Sequence, residues 1–133
     1  MSVVLYPPYL QWEGISDCNH KCIHCYNYWR ADNLDVVRHS DFGAITEKII
    51  ASKPVYMAVT GGEPLLVFDE IKPCIERIIN AGTRVSVSSN GTLITEEIAE
   101  FYARNNIDTV ISFPSINPEI CDAVAGHRES SAR

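Results

Sequence analysis

Short apolar runs alternate with amphipathic stretches along this chain. Residues 10–15 read as a strand with polar residues interleaved, and a Cys-rich stretch follows it. Ser40 can then cap a helix in which Ile45, Ile49 and Ile50 recur at helical spacing, and Pro54 stops it. Residues 55–59 form a second, apolar strand that Gly61-Gly62 closes. Asp69 can cap the next helix, whose stripe is Ile71, Ile75, Ile78 and Ile79. Pro73 falls near its first turn, where a missing N–H costs little, and Ala81-Gly82 ends it. Residues 84–88 read as a third strand ending at Asn90-Gly91. Thr95 caps a third helix, with Glu96 and Glu97 in the first turn where the helix dipole favours negative charge, and with Ile98, Phe101 and Tyr102 as its buried stripe. Residues 108–113 read as a fourth strand. Asn117-Pro118 then starts a short helix that runs to about Ala125 and stops at Gly126.

Four β/α units in succession predict an α/β fold: a parallel sheet built from right-handed crossovers, with helices on its outer face. In such folds chemistry collects at the carboxyl ends of the strands. The first strand is followed by the Cys-rich loop, the second by Thr60-Gly61-Gly62-Glu63-Pro64, and the third by Ser88-Ser89-Asn90-Gly91. Ser112 closes the fourth. Loops are often rich in Gly, Asn and Ser, which accounts for Asn90-Gly91 but not for three clustered cysteines.

Composition narrows the classes. With 133 residues, 46% of them hydrophobic and 21% charged, the chain has the make-up of one globular domain, which excludes disorder, collagen and coiled coil. The net charge of −6 and the lack of a basic stripe argue against a nucleic-acid partner. No apolar run approaches the roughly 20 residues of a membrane span, and the N-terminal segment lacks a basic region and is broken by Pro7-Pro8. A cytoplasmic protein is the default expectation.

Five cysteines are an odd number, and Cys18, Cys22 and Cys25 crowd into one loop. That pattern suits a metal better than disulfides. Cys74 and Cys121 fall in helical segments and read as buried small residues. A structural zinc site would need a fourth ligand, which His20 or His24 could supply. An iron–sulfur cluster would keep one iron without a protein ligand, and an open position is what a catalytic metal keeps for its substrate. Spacing favours the cluster and leaves a zinc-binding structural module open.

The segment Cys18-Asn19-His20-Lys21-Cys22-Ile23-His24-Cys25-Tyr26-Asn27 resembles the signature of the radical S-adenosylmethionine (SAM) superfamily. Gly61-Gly62-Glu63-Pro64 resembles its GGEP motif, and Ser88-Ser89-Asn90-Gly91-Thr92-Leu93 its ribose-contacting strand. The details are nearest to the branch with SPASM or twitch extensions, which includes peptide maturases. The resemblance implies a partial (β/α) barrel and a [4Fe–4S] cluster on Cys18, Cys22 and Cys25, with SAM chelating the fourth iron. It implies that His24 and Tyr26 lie near the adenine, and that the segment Gly61-Gly62-Glu63-Pro64 meets the methionine amino group, with Gly61 and Gly62 letting the backbone approach the ligand closely, Glu63 helping to accept its protons and Pro64 fixing the turn. Ser88, Asn90 and Ser112 would contact the ribose or the carboxylate. Reductive cleavage of SAM would then yield a 5′-deoxyadenosyl radical for hydrogen abstraction, with a flavodoxin- or ferredoxin-like electron donor and a peptide or protein substrate.

Two departures stand out. Pro114 occupies the place where many such relatives carry an Asp. The family core has six β/α units, and residues 1–133 supply about four, so the chain is expected to be the N-terminal portion of a core domain, with an open apolar edge on the fourth strand. Ser130 could cap a further helix. A truncated scaffold without catalysis is the remaining alternative.

Overall fold

The computed structural model of the chain describes residues 7–26 and 41–126. Strands β1 (Tyr9–Ile15), β2 (Tyr56–Gly61), β3 (Arg84–Ser89) and β4 (Asp108–Ile111) pair in parallel and in chain order. Helices α1 (Phe42–Ser52), α2 (Phe68–Asn80), α3 (Glu96–Arg104) and α4 (Pro118–Ala125) follow them in turn. The parallel α/β arrangement is the one the alternating pattern predicts.

Period-two alternation decides what each sheet face does. Trp12, Met57, Val59, Val85 and Val87 project from the strands onto Ile49 of α1, Ile71, Ile75 and Ile78 of α2, and Ile98 and Phe101 of α3, in one buried cluster. Each such side chain contributes about 1.5–3 kcal/mol on full burial. Phe68 and Phe101 meet edge-to-face, with centroids 5.6 Å apart, where α2 packs near α3. The opposite face is more polar and more open. There Tyr9 and Tyr56 stack at 5.8 Å, and Gln11 Nε2 donates to Thr60 Oγ1 at 3.1 Å. All four β4 residues are exposed, with Val110 at 55% and Ile111 at 43%, in keeping with the open apolar edge expected from the sequence.

Local details differ from the sequence reading. Asp41 caps α1, its carboxylate accepting from Ala44 N at 2.7 Å, while the expected cap, Ser40, lies outside the described residues. Asn27 and Ser130 lie outside them as well. Asp69 does not cap α2, because that helix continues from a 3-10 turn, Pro64–Val67, and so begins one residue before it at Phe68. Asp69 instead stands in the first turn. Pro73 sits in the second turn rather than the first; it is exposed, so water can satisfy the carbonyl left without its helical N–H. β2 begins at Tyr56 rather than Val55, β3 extends to Ser89, and β4 ends at Ile111. Thr95 and Asn117 cap as predicted, accepting from Ile98 N and Glu119 N.

Among the described residues, one ionisable acidic side chain is buried in this frame. Glu63 is 0% exposed and caps the 3-10 turn. Its Oε1 accepts from Leu65 N at 3.0 Å and Ser89 Oγ at 2.9 Å, and its Oε2 accepts from Asn90 N at 2.8 Å. The carboxylate thus ties the exit of β2 to the exit of β3. Burial pushes its pKa above the ordinary 4.5, and the three hydrogen bonds oppose that rise.

Two stability experiments follow from these contacts. Tyr102 Oη is buried without a hydrogen-bond partner among the described residues. Tyr102→Phe removes a polar group that pays no return in bonding, so urea unfolding should show unchanged stability or a gain of about 1 kcal/mol. A clear loss would mean that the hydroxyl has a partner after all. For Glu63, the folded state holds its proton to higher pH than the unfolded chain does. Its contribution to stability is therefore present below pH 4.5 and declines as pH rises through the window above that value. Glu63→Gln should flatten that slope. At neutral pH it should cost about 1–3 kcal/mol, because the amide NH2 faces a backbone N–H. Denaturation curves from pH 4 to 7 check both, and an unchanged slope in the variant would exclude Glu63 as its source.

Candidate functional site

The carboxyl ends of all four strands open onto one cavity of about 710 Å³. That size falls within the roughly 300–1,000 Å³ of small-molecule sites. Cys18, Cys22, His24, Cys25 and Tyr26 line it from the loop after β1. Gly61, Gly62 and Glu63 line it from the end of β2, Ser88 and Asn90 from β3, and Ser112 from just beyond β4. Pro64 does not reach it; it is buried as the first residue of the 3-10 turn. Topology therefore brings together eleven of the twelve residues that the sequence singled out, drawn from segments up to 94 positions apart (Cys18 to Ser112).

The Cys loop is compact. Cys18 Sγ accepts from His20 N at 3.3 Å, and Cys25 N donates to Cys22 O at 3.0 Å. Burial pushes the Cys18 and Cys22 thiols above their ordinary 9.0, and neighbouring thiols add to the rise. Loading a metal here must therefore release protons, since thiolate is the ligating form. Among the described residues, no three His, Cys, Asp or Glu side chains converge on one ion-sized position. The thiols line a wall of the cavity and do not meet at a point.

The paired glycines have a reason the sequence did not reveal. A Cβ on Gly62 would stand 1.9 Å from Asp17 O, and one on Gly61, at φ +128°, would stand 2.2 Å from Ile15 O. Only bare backbone lets Gly62 N reach Ile15 O at 2.7 Å and Glu63 N reach Asp17 O at 2.8 Å. The close approach seen here is made to the chain leaving β1. β1 also shifts register against β2 between Glu13 and Ile15, just before this contact.

Asn90 is likewise engaged within the protein. Its Nδ2 donates to Asn19 Oδ1 at 2.8 Å, and its Oδ1 accepts from Thr92 Oγ1 at 2.7 Å. Asn19 Nδ2 donates in turn to Thr92 Oγ1 at 2.9 Å. Other wall residues are Gln11 and Phe113, which the sequence reading passed over, and Thr60 and Pro114, which it named but did not assign to the site. Gln11 and Thr60 lie on the open sheet face, where the alternation with Trp12 and Val59 could have placed them. Phe113 and Pro114 supply an apolar wall beyond β4, and Phe113 is 61% exposed. Cys121 is buried, as read, yet it also lines the cavity near Cys22, so it is more than a spectator in a helix core.

Comparison with known proteins bears on this arrangement. The chain is 27% identical over 129 residues to the antilisterial bacteriocin subtilosin biosynthesis protein AlbA of Bacillus subtilis, covering 96% of this chain and 29% of AlbA. It is 28% identical over 121 residues to the mycofactocin maturase MftC of Mycolicibacterium smegmatis, covering 90% of this chain and 31% of MftC. The crystal structure of Streptococcus suis SuiB bound to S-adenosylmethionine superposes with a TM-score of 0.76 at 20% identity, over 92% of this chain and 29% of SuiB. The chain thus spans about a third or less of each. The sequence profile of the radical SAM superfamily matches residues 12–132, nearly the whole chain, and this protein belongs to that superfamily.

Proposed function

We propose that this chain carries the cluster- and SAM-binding residues of a radical SAM enzyme that modifies a peptide or protein. The observation that carries the proposal is three soft sulfur donors, Cys18, Cys22 and Cys25, on one wall of a cavity whose other walls are strand ends. A thiolate-rich set selects iron–sulfur centres or zinc among metals. Three thiols and the Gly61, Gly62 and Ser88 strand ends line the same cavity, a donor set whose chemistry fits a [4Fe–4S] cluster with SAM beside it. When bound, these two groups supply one-electron reductive cleavage of the C5′–S bond and, with it, hydrogen abstraction from a substrate.

The chain's own residues have three tasks in this reading. Cys18, Cys22 and Cys25 hold the iron as thiolates. Backbone at Gly61 and Gly62, with Ser88 and Ser112, supplies polar partners for the amino acid and ribose parts of SAM, and His24 and Tyr26 pack against its base. Glu63 acts from behind: with three donors already on its carboxylate, it holds the rim in shape. Phe113 and Pro114 keep the β4 side apolar, which shields reactive groups from water. A peptide substrate is supported by the names of AlbA and MftC and by a SuiB structure with its precursor peptide SuiA. The reductant is a flavodoxin- or ferredoxin-like protein.

Anaerobic reconstitution with ferrous iron and sulfide should give a brown protein with broad absorbance near ~400 nm. Adding SAM and dithionite should then yield 5′-deoxyadenosine, read by liquid chromatography. Cys22→Ala should lose both colour and product. A colourless protein holding stoichiometric zinc after the same treatment would overturn the proposal.

A further inference from the structure

The Cys loop is held at both ends by contacts that need no metal. On the Cys18 side, Asn19 inserts its amide between Asn90 and Thr92 of the β3 exit, with bonds of 2.8 and 2.9 Å. On the Cys22 side, Lys21 N donates to Ala125 O and Ile23 N to Val124 O, each at 3.0 Å. These two carbonyls belong to the last turn of α4, where a helix leaves its carbonyls without internal partners. The alternating donors place Cys22 between the two bonds, while its side chain lines the cavity. Gly126 makes this approach feasible. It closes α4 in the left-handed region at φ +62°, and a Cβ there would stand 2.5 Å from Lys21 O. Glycine is needed at this position for its conformation and also for its lack of bulk.

From these contacts we infer that Asn19 and Gly126 are positioning residues that set the Cys loop in its metal-binding shape before any metal arrives. α4 differs in this from α1, α2 and α3, whose apolar stripes form the core beneath the sheet. Its last turn serves the loop after β1, more than 90 residues earlier in the chain (Lys21 to Ala125). A loop already fixed at both ends loses less chain entropy when it binds a cluster. The inference rests on the proposed cluster site, yet its first readout is independent of any metal.

That readout is trypsin cleavage after Lys21 in the metal-free protein, followed by mass spectrometry of the fragment ending there. Gly126→Ala should speed release of that fragment about ten-fold, because the latch opens locally. Asn19→Ala should act in the same direction and removes only a side chain. Gly82→Ala is the control: its φ of +99° is equally foreign to a side chain, but no atom lies within 4 Å of the added Cβ. It should leave Lys21 cleavage unchanged. After anaerobic reconstitution, Gly126→Ala and Asn19→Ala should hold less than half the wild-type cluster absorbance, with circular dichroism unchanged. Wild-type protection of Lys21 in both variants would overturn the inference. If wild-type protein takes up no cluster while both variants still expose Lys21, the latch stands and the proposed cluster function fails. If Gly126→Ala does not fold, Asn19→Ala alone decides.

Discussion

The rim of this protein depends on one buried carboxylate. Glu63 sits at zero exposure with three hydrogen-bond donors around it, from the turn it caps and from two residues of the β3 exit. Its own N–H reaches back to Asp17 O at the start of the Cys loop. One residue therefore joins the ends of β1, β2 and β3. Burying a carboxylate is costly unless its lone pairs are filled, and the raised pKa records the residual cost of desolvation. Ser89 and Asn90, which also line the cavity, are therefore part of what holds its rim.

From Glu63 the connections run outward to the thiols. Asn90 donates its backbone N–H to the carboxylate and its side-chain Nδ2 to Asn19, the neighbour of Cys18. The glycines of the β2 exit have no side chain because the β1 backbone occupies that space. Most of the polar residues that look ligand-directed in sequence are thus partly or wholly engaged in holding the protein's own loops together. A site built this way spends backbone and amide contacts on geometry and leaves the thiols, the Gly-rich edge and the apolar β4 side facing the cavity.

The two faces of the sheet explain how so small a core supports this. Apolar side chains at alternate positions are gathered under α1, α2 and α3, so stability lies on one side. The other side is more open and polar, with Gln11, Thr60 and Ser88 at the cavity. That division was legible from the alternation of residues, as were the parallel order of the strands, the caps at Thr95 and Asn117, and the clustering of Cys18, Cys22 and Cys25. The cap of α2 was misread because the 3-10 turn from Pro64 to Val67 merges into the helix without a break in hydrophobic pattern. Pro64 opens that same turn, the role expected of it, and so lies buried rather than at the cavity.

By itself, the sequence determined the element order, the buried face and the clustering of three cysteines in one loop, because these follow from local periodicity and from residue spacing. Only the tertiary structure decided what those residues face. Hydrogen bonds between distant segments leave no periodic trace, so the seat of Asn19 on Asn90 and Thr92 could not be read from spacing. The same holds for Gly126, which reads in sequence as an ordinary helix stop. Its second requirement, room for Lys21 O, arises only when the chain folds back and sets the last turn of α4 against the Cys loop.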